Sequence, residues 1–173
     1  MATSRASNTP LLGLRRKPGR LALWVFRLPL QLYARGAGWL LGHTFLVFTH
    51  LGRSTGQPYQ AAAMVLRYDH STGEAVICSA WGPTTDWFRN LRVNTAIEVR
   101  CGHEIYAPEQ RFLTDDEAFD VMVAFQQRHP WRVRLVCSVL DWGDLSSDAA
   151  VREFVGSHPF VAFRPATYRS RTA

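Results

Sequence analysis

The chain has 173 residues, 47% hydrophobic and 20% charged, which is enough apolar material for one globular domain with its own core. No apolar run approaches the roughly 18 residues that cross a bilayer. Arg5, Arg15, Arg16, Lys17 and Arg20 are not followed by an apolar stretch with a cleavage site, so neither a membrane span nor a secretory leader is expected.

The net charge of +6 is unevenly placed: nine basic residues and no acidic one precede Asp69, and eleven basic residues face fourteen acidic ones from there on. A basic end of this kind suits an anionic membrane or an acidic ligand. Nucleic acid is not expected, because no helix-turn-helix, zinc-finger or aromatic-sheet pattern accompanies the charge. Cys78, Cys101 and Cys137 stand singly in apolar surroundings and read as free thiols of a reducing cytoplasm. The six histidines are scattered, and no metal ligand set is visible.

In chain order, residues 1–18 read as a flexible basic tail, 19–168 as a single domain, and 169–173 as a second basic tail. Leu21, Trp24, Val25, Leu28 and Leu32 recur at helical spacing between Arg20 and Ala37, with Arg20, Arg27, Gln31 and Arg35 on the other side. Pro29 should kink or split that helix. Two readings stand: a helix packed on the domain, or a membrane-surface helix with interfacial Trp24 and Tyr33.

Phe45 to Thr49, Ala61 to Leu66 and Ala75 to Ser79 then read as strands. The turn between the first two, His50 to Tyr59, offers glycines, two hydroxyls, a guanidinium and free backbone N–H groups, a donor set suited to phosphate or carboxylate, although an ordinary hairpin connection explains it equally well. Asp86 to Leu91 reads as a short aromatic helix.

Further on, Ala96 to Cys101 alternates with period two, and Glu104 to Phe112 is a second extended run, with Pro108 marking an edge or bulge. Thr114 and Glu117 form a capping-box pattern ahead of a helix with Phe119, Met122, Val123 and Phe125. His129-Pro130-Trp131 interrupts, Arg132 to Leu140 is helix or strand, Ser147 to Val155 is a helix, and Pro159 to Arg164 is a last strand. Five or six strands joined by links too short for parallel crossovers predict a small mixed β-barrel.

The turn Gly52-Arg53-Ser54-Thr55-Gly56-Gln57-Pro58, the strand ending in Ser79, and Trp87-Phe88-Arg89-Asn90-Leu91 with Asn94 together resemble the deazaflavin-dependent nitroreductase family. The resemblance covers roughly residues 45–101. It implies a mainly β (α+β) fold, a split β-barrel like that of the FMN-binding proteins, with an N-terminal helix and short helical insertions. It also implies an oxidoreductase that passes hydride from a reduced deazaflavin, coenzyme F-420 (8-hydroxy-5-deazaflavin), to a quinone, nitro compound or activated alkene. In such a site the protein positions the reactants and needs no nucleophile.

Carried over by position, the resemblance puts Arg53, Ser54 and Thr55 at the cofactor's phosphate and acidic tail. It lines the ring with Tyr59, Gln60, Ala61, Ala62, Ala63 and Met64, and with Ile77, Cys78, Ser79 and Ala80 at the next strand's end. It lays Asp86, Trp87, Phe88, Arg89 and Asn90 over the cofactor from the helix. The chain departs from the family where Ser54 and Ala80 or Trp81 replace frequent lysines, and Lys17 is its only lysine. Where members place tyrosines before the final strand, His129, Trp131 and Arg132 stand, so no catalytic proton donor is assigned.

Two other functions remain open: an FMN-dependent enzyme on the same barrel, and a non-catalytic cofactor carrier or membrane-associated module. Expected partners are a small-molecule hydride acceptor and a peripheral membrane contact through the basic N-terminal helix, at the inner face of the cell membrane. The protein is expected to be a monomer or homodimer.

Overall fold

The structure, a computed structural model, describes residues 29–140 and 142–166. The two expected tails, the first part of the N-terminal helix, and residues 167 and 168 of the expected domain therefore lie outside the described residues.

Seven strands form one antiparallel sheet: β1 (Phe45–Leu51), β2 (Pro58–Asp69), β3 (Glu74–Cys78), β4 (Glu98–Cys101), β5 (Glu104–Tyr106), β6 (Pro108–Phe112) and β7 (Phe160–Pro165). Their spatial order is β5-β4-β1-β2-β3-β7-β6. The long β2 bends through a register shift between Val65 and Arg67, so that it serves β1 on one side of the bend and β3 on the other. The two end strands, β5 and β6, are joined by Ala107 alone. A sheet whose ends are tied by one residue has to curl, and the result is a nearly closed, split β-barrel.

The extended run from Glu104 thus divides at Ala107 instead of continuing. Pro108 lacks an N–H and starts β6, an end strand, as a proline in a sheet should.

Two apolar layers hold this arrangement. Ala75 and Ile77 of β3 face the barrel interior with Leu46, Phe48, Val99, Val161 and Phe163. Val76 and Cys78 face outward onto Met122, Phe125, Phe154 and Phe160. Burial on both faces explains why β3 and β7 read as unbroken apolar runs. Each fully buried Phe, Ile or Leu contributes about 1.5–3 kcal/mol.

Besides the N-terminal helix, four α-helices among the described residues surround the barrel: α1 (Asp86–Leu91), α2 (Asp115–Arg128), α3 (Pro130–Leu140) and α4 (Asp148–Ser157). The α2 helix opens with the expected capping box between Thr114 and Glu117, and Ser147 caps α4. The region from Arg132 is a helix, and it begins at Pro130 itself, because a first-turn residue needs no N–H.

Of the expected N-terminal helix, residues 29–34 are helical and pack on the barrel. It stops short of Ala37 because Gly36 takes the left-handed conformation, φ +72°, and a 3-10 helix, Gly38–Leu41, follows. Among the described residues no helix is long and apolar enough to cross a membrane, and no His, Cys, Asp and Glu cluster suits a metal ion. Cys78 and Cys101 are buried free thiols, and Cys137 is partly exposed.

Candidate cofactor cleft

The turn from Leu51 to Pro58 folds back on itself. The Gly52 N–H donates to Gln57 O at 2.8 Å and the Gly56 N–H donates to Gly52 O at 2.8 Å. Thr55 Oγ1 accepts from the Gln57 N–H at 3.3 Å. Gly56 sits at φ +64°, where a side chain is strained. At Gly52 a Cβ would lie 2.5 Å from Thr55 Oγ1 and 2.8 Å from the Tyr59 ring, so glycine lets Tyr59 close over the turn.

The α1 helix meets this turn from across the fold. Ser79, fully buried, donates to Gly82 O at 2.6 Å and shares a 2.8 Å hydrogen bond with Thr85, fixing the loop from which α1 starts. Trp87 anchors the helix by an edge-on contact with Phe48 at 5.3 Å. Asp86 and Asn90 then reach the turn. Both Arg53 Nη atoms lie 3.1 Å from Asp86 Oδ1, and Nη1 also donates to Asn90 Oδ1 at 3.0 Å. The main-chain N–H of Arg53 donates to the same Oδ1 at 3.0 Å.

Between turn and helix lies a cleft of about 480 Å³, within the usual size range of small-molecule sites. It brings together nine of the expected residues: Arg53, Ser54, Thr55, Tyr59, Gln60, Ala61, Asp86, Trp87 and Asn90. His50 and Gly52, part of the expected donor turn but not named as cofactor contacts, also line it. The only sequence signal for His50 is a histidine at the end of an apolar strand beside a glycine turn. Burial holds its imidazole below the ordinary histidine pKa, opposed by the Leu51 main chain and the Asp86 charge.

The other expected residues lie elsewhere. Ala62, Ala63, Met64, Cys78 and Ala80 border a second, nearly filled apolar cavity of about 20 Å³. Trp87 is its shared wall with the cleft, and Trp81, Leu140 and Trp142 complete its lining; the Trp142 Nε1–H donates to Ala80 O at 3.0 Å. Ile77 and Ser79 are wholly buried and reach neither cavity, Phe88 belongs to the barrel core, and Arg89 is exposed.

The expected nest of free N–H groups is smaller than the sequence suggested, because the turn's own bonds and Asn90 use most of them. Those of Ser54 and Thr55 have no partner among the described residues, nor do Nε–H and one Nη2–H of Arg53. Asp86 is the competitor for the guanidinium. Its side chain is 70% exposed against 30% for Arg53, and a pair this open contributes only about 0.2–1 kcal/mol. An incoming phosphate or carboxylate can therefore take over the guanidinium at small cost. The cleft thus suits a ligand with an anionic end and a flat apolar body.

No protein-family profile matches the chain. Among solved structures it is similar to an F420-H2 dependent reductase (FDR-A), at 15% identity over 71% of this chain and 96% of that one, with a TM-score of 0.47. It is also similar to HutZ, the heme storage protein from Vibrio cholerae, at 10% identity over 79% and 92% of the two chains, with a TM-score of 0.45. A NimC/NimA family protein from Clostridium acetobutylicum matches at 14% identity over 83% and 92%, with a TM-score of 0.41.

Proposed function

We propose that this chain is an oxidoreductase that holds a flavin-type cofactor, the deazaflavin coenzyme F-420, in the cleft between the Leu51–Pro58 turn and α1. The acceptor we propose is a quinone, nitro compound or activated alkene. The observation that carries this reading is the pairing of an anion-donor set with an aromatic wall in one cleft of about 480 Å³.

Each part of the chain has a role in it. Arg53 and the Ser54 and Thr55 N–H groups bind the anionic end by charge-assisted hydrogen bonds. Trp87 and Ala61 offer a flat apolar wall to the ring system, and Tyr59 covers the cleft mouth. Gln60 offers an amide to polar ring substituents. When bound, the cofactor supplies the hydride. The small apolar cavity beyond Trp87, lined also by Leu140 and Trp142, gives that side of the wall an apolar backing. With orientation as the protein's contribution, no nucleophile or dyad is required.

The test is a fluorescence titration of the purified protein with oxidised F-420 and with FMN, followed by turnover with the reduced cofactor and a naphthoquinone. Tighter binding of the deazaflavin together with quinone reduction is expected. Binding without turnover makes the protein a carrier, and preference for FMN moves it to the flavin-dependent enzymes. Binding of neither removes the proposal.

A further inference from the structure

Asn90 is buried, and its neighbours orient its amide. Oδ1 accepts from the main-chain N–H and the Nη1–H of Arg53, two groups that only donate. Nδ2, itself only a donor, therefore faces Nδ1 of His50 at 3.2 Å. Nδ1 has to present a lone pair there, which makes His50 the neutral tautomer with its proton on Nε2.

We propose that neutral His50 is the positioning residue of the cleft: through Asn90 it locks the turn and the Arg53 guanidinium to receive an oxyanion, and its protonation releases them. This deepens the preceding reading and rests on it for the anion site alone.

The amide of Asn90 leaves no alternative once His50 is charged. A proton on Nδ1 would set two donors 3.2 Å apart. A half-turn of the amide would relieve His50 but present NH2 to the two donors of Arg53. Either way one buried donor pair is in conflict, and the cheapest relief is for the turn to let go of Asn90.

The groups that bear on the imidazole's charge come from three elements. A hydrogen bond to the Leu51 main chain and the charge of Asp86 on α1 favour the cation, and Tyr59 of β2 stacks on the ring at 6.0 Å. On its own strand Phe48 offers only an apolar ring. Burial is the largest influence and keeps the imidazole neutral. The folded-state pKa is lowered, so the lock is complete above about 6.5, the unfolded value, and is lost as pH falls through the folded value.

The experiment uses the full chain without cofactor and sulfate as the probe, whose charge is constant across the pH range. Three quantities are followed by NMR against pH: the tautomer of His50, exchange protection of the Arg53 amide, and sulfate affinity read at that amide. Sulfate affinity should fall about tenfold or more between about pH 8 and about pH 5 as His50 protonates. In His50→Asn the Oδ1 takes the place of Nδ1 and does not titrate. That variant should bind sulfate at every pH and lose the pH dependence, whereas His50→Leu should bind weakly throughout.

A wild-type pH dependence surviving in His50→Asn overturns the proposal, as does a proton found on Nδ1 at neutral pH. If the tautomer and the Arg53 protection behave as stated but sulfate does not bind, the lock stands and the anion-site reading fails.

Discussion

The hydroxyl of Tyr33 bridges two segments of the barrel: it accepts from the main-chain N–H of Gly102, 69 residues away, at 2.8 Å and donates to Phe45 O at 3.0 Å. Residues 29–34 are tied to β1 and to the β4–β5 turn through this one oxygen. Gly38 completes the fit, since a Cβ there would lie 2.2 Å from the Tyr33 ring. Tyr33→Phe removes both hydrogen bonds of this partly buried hydroxyl and should cost about 1–3 kcal/mol. Burial raises the phenol to about 12. Its contribution is therefore complete below about pH 10, the unfolded value, and is lost as pH rises through the folded one. Urea denaturation of wild type and variant checks this, and an unchanged midpoint would show that the bridge adds nothing.

Arg53 and Asp86 should respond in opposite directions. Arg53→Ala removes a charge-assisted contact to the ligand's anionic end and should lower cofactor affinity tenfold or more, about 1.5–3 kcal/mol. Asp86→Asn frees the guanidinium and should raise affinity severalfold. The exposed pair itself contributes under about 1 kcal/mol to stability, so melting temperature should scarcely move in Asp86→Asn. Loss of affinity in Asp86→Asn would mean that the carboxylate, not the guanidinium, meets the ligand.

Tyr106 presents a different case. Its hydroxyl is buried with no hydrogen-bond partner among the described residues, and burial pushes its pKa far up. An unsatisfied buried hydroxyl costs about 1–3 kcal/mol. Tyr106→Phe should therefore leave stability equal or raise it by about 1 kcal/mol, the reverse of Tyr33→Phe. A lower melting temperature would reveal a partner for that oxygen.

For α2 the capping box is the test. Thr114 Oγ1 accepts from the Glu117 N–H at 3.3 Å and Glu117 Oε2 accepts from the Thr114 N–H at 2.9 Å. Thr114→Ala should cost about 1 kcal/mol, and because α2 carries Met122 and Phe125 of the outer core, the loss should appear in global unfolding. A loss confined to fraying of the helix end would separate the cap from the core.

The local features were legible in the sequence, and the long-range ones were not. Asp86 to Leu91, the Thr114 cap and the strands through Cys78 announce themselves in neighbouring residues, because period and capping act over a few positions. The partners of Arg53 lie 33 and 37 residues along the chain, on another element. No nearby residue hints that this guanidinium is shared, or that Asn90 takes the turn's main-chain N–H. Ser79 shows the same limit: the family resemblance put it along the cofactor ring, and nothing near it in sequence showed that its hydroxyl bonds Gly82 and Thr85. Pro108 marked an edge or bulge in the run from Glu104, but not that the chain passes there to the opposite end of the sheet, because an extended backbone looks alike in sequence whether it continues one strand or passes between two.

The place of β7 has a consequence for how the chain reaches this state. β7 lies between β3 and β6, although it comes after every other strand in the chain. Ala75 pairs with Phe163 and Phe112 with Val161. Until those pairs form, β3 has an open edge, β6 has no strand partner, and Val76 and Ile77 lack the β7 side chains of their core layers. Acquisition of the native state should then be slow, on the millisecond-to-second scale of barrels ruled by distant pairings. Any chain that lacks the β7 pairing offers the open edge of β3 to other copies. A nascent polypeptide that has emerged as far as α4 but not β7 is the species most in need of a chaperone.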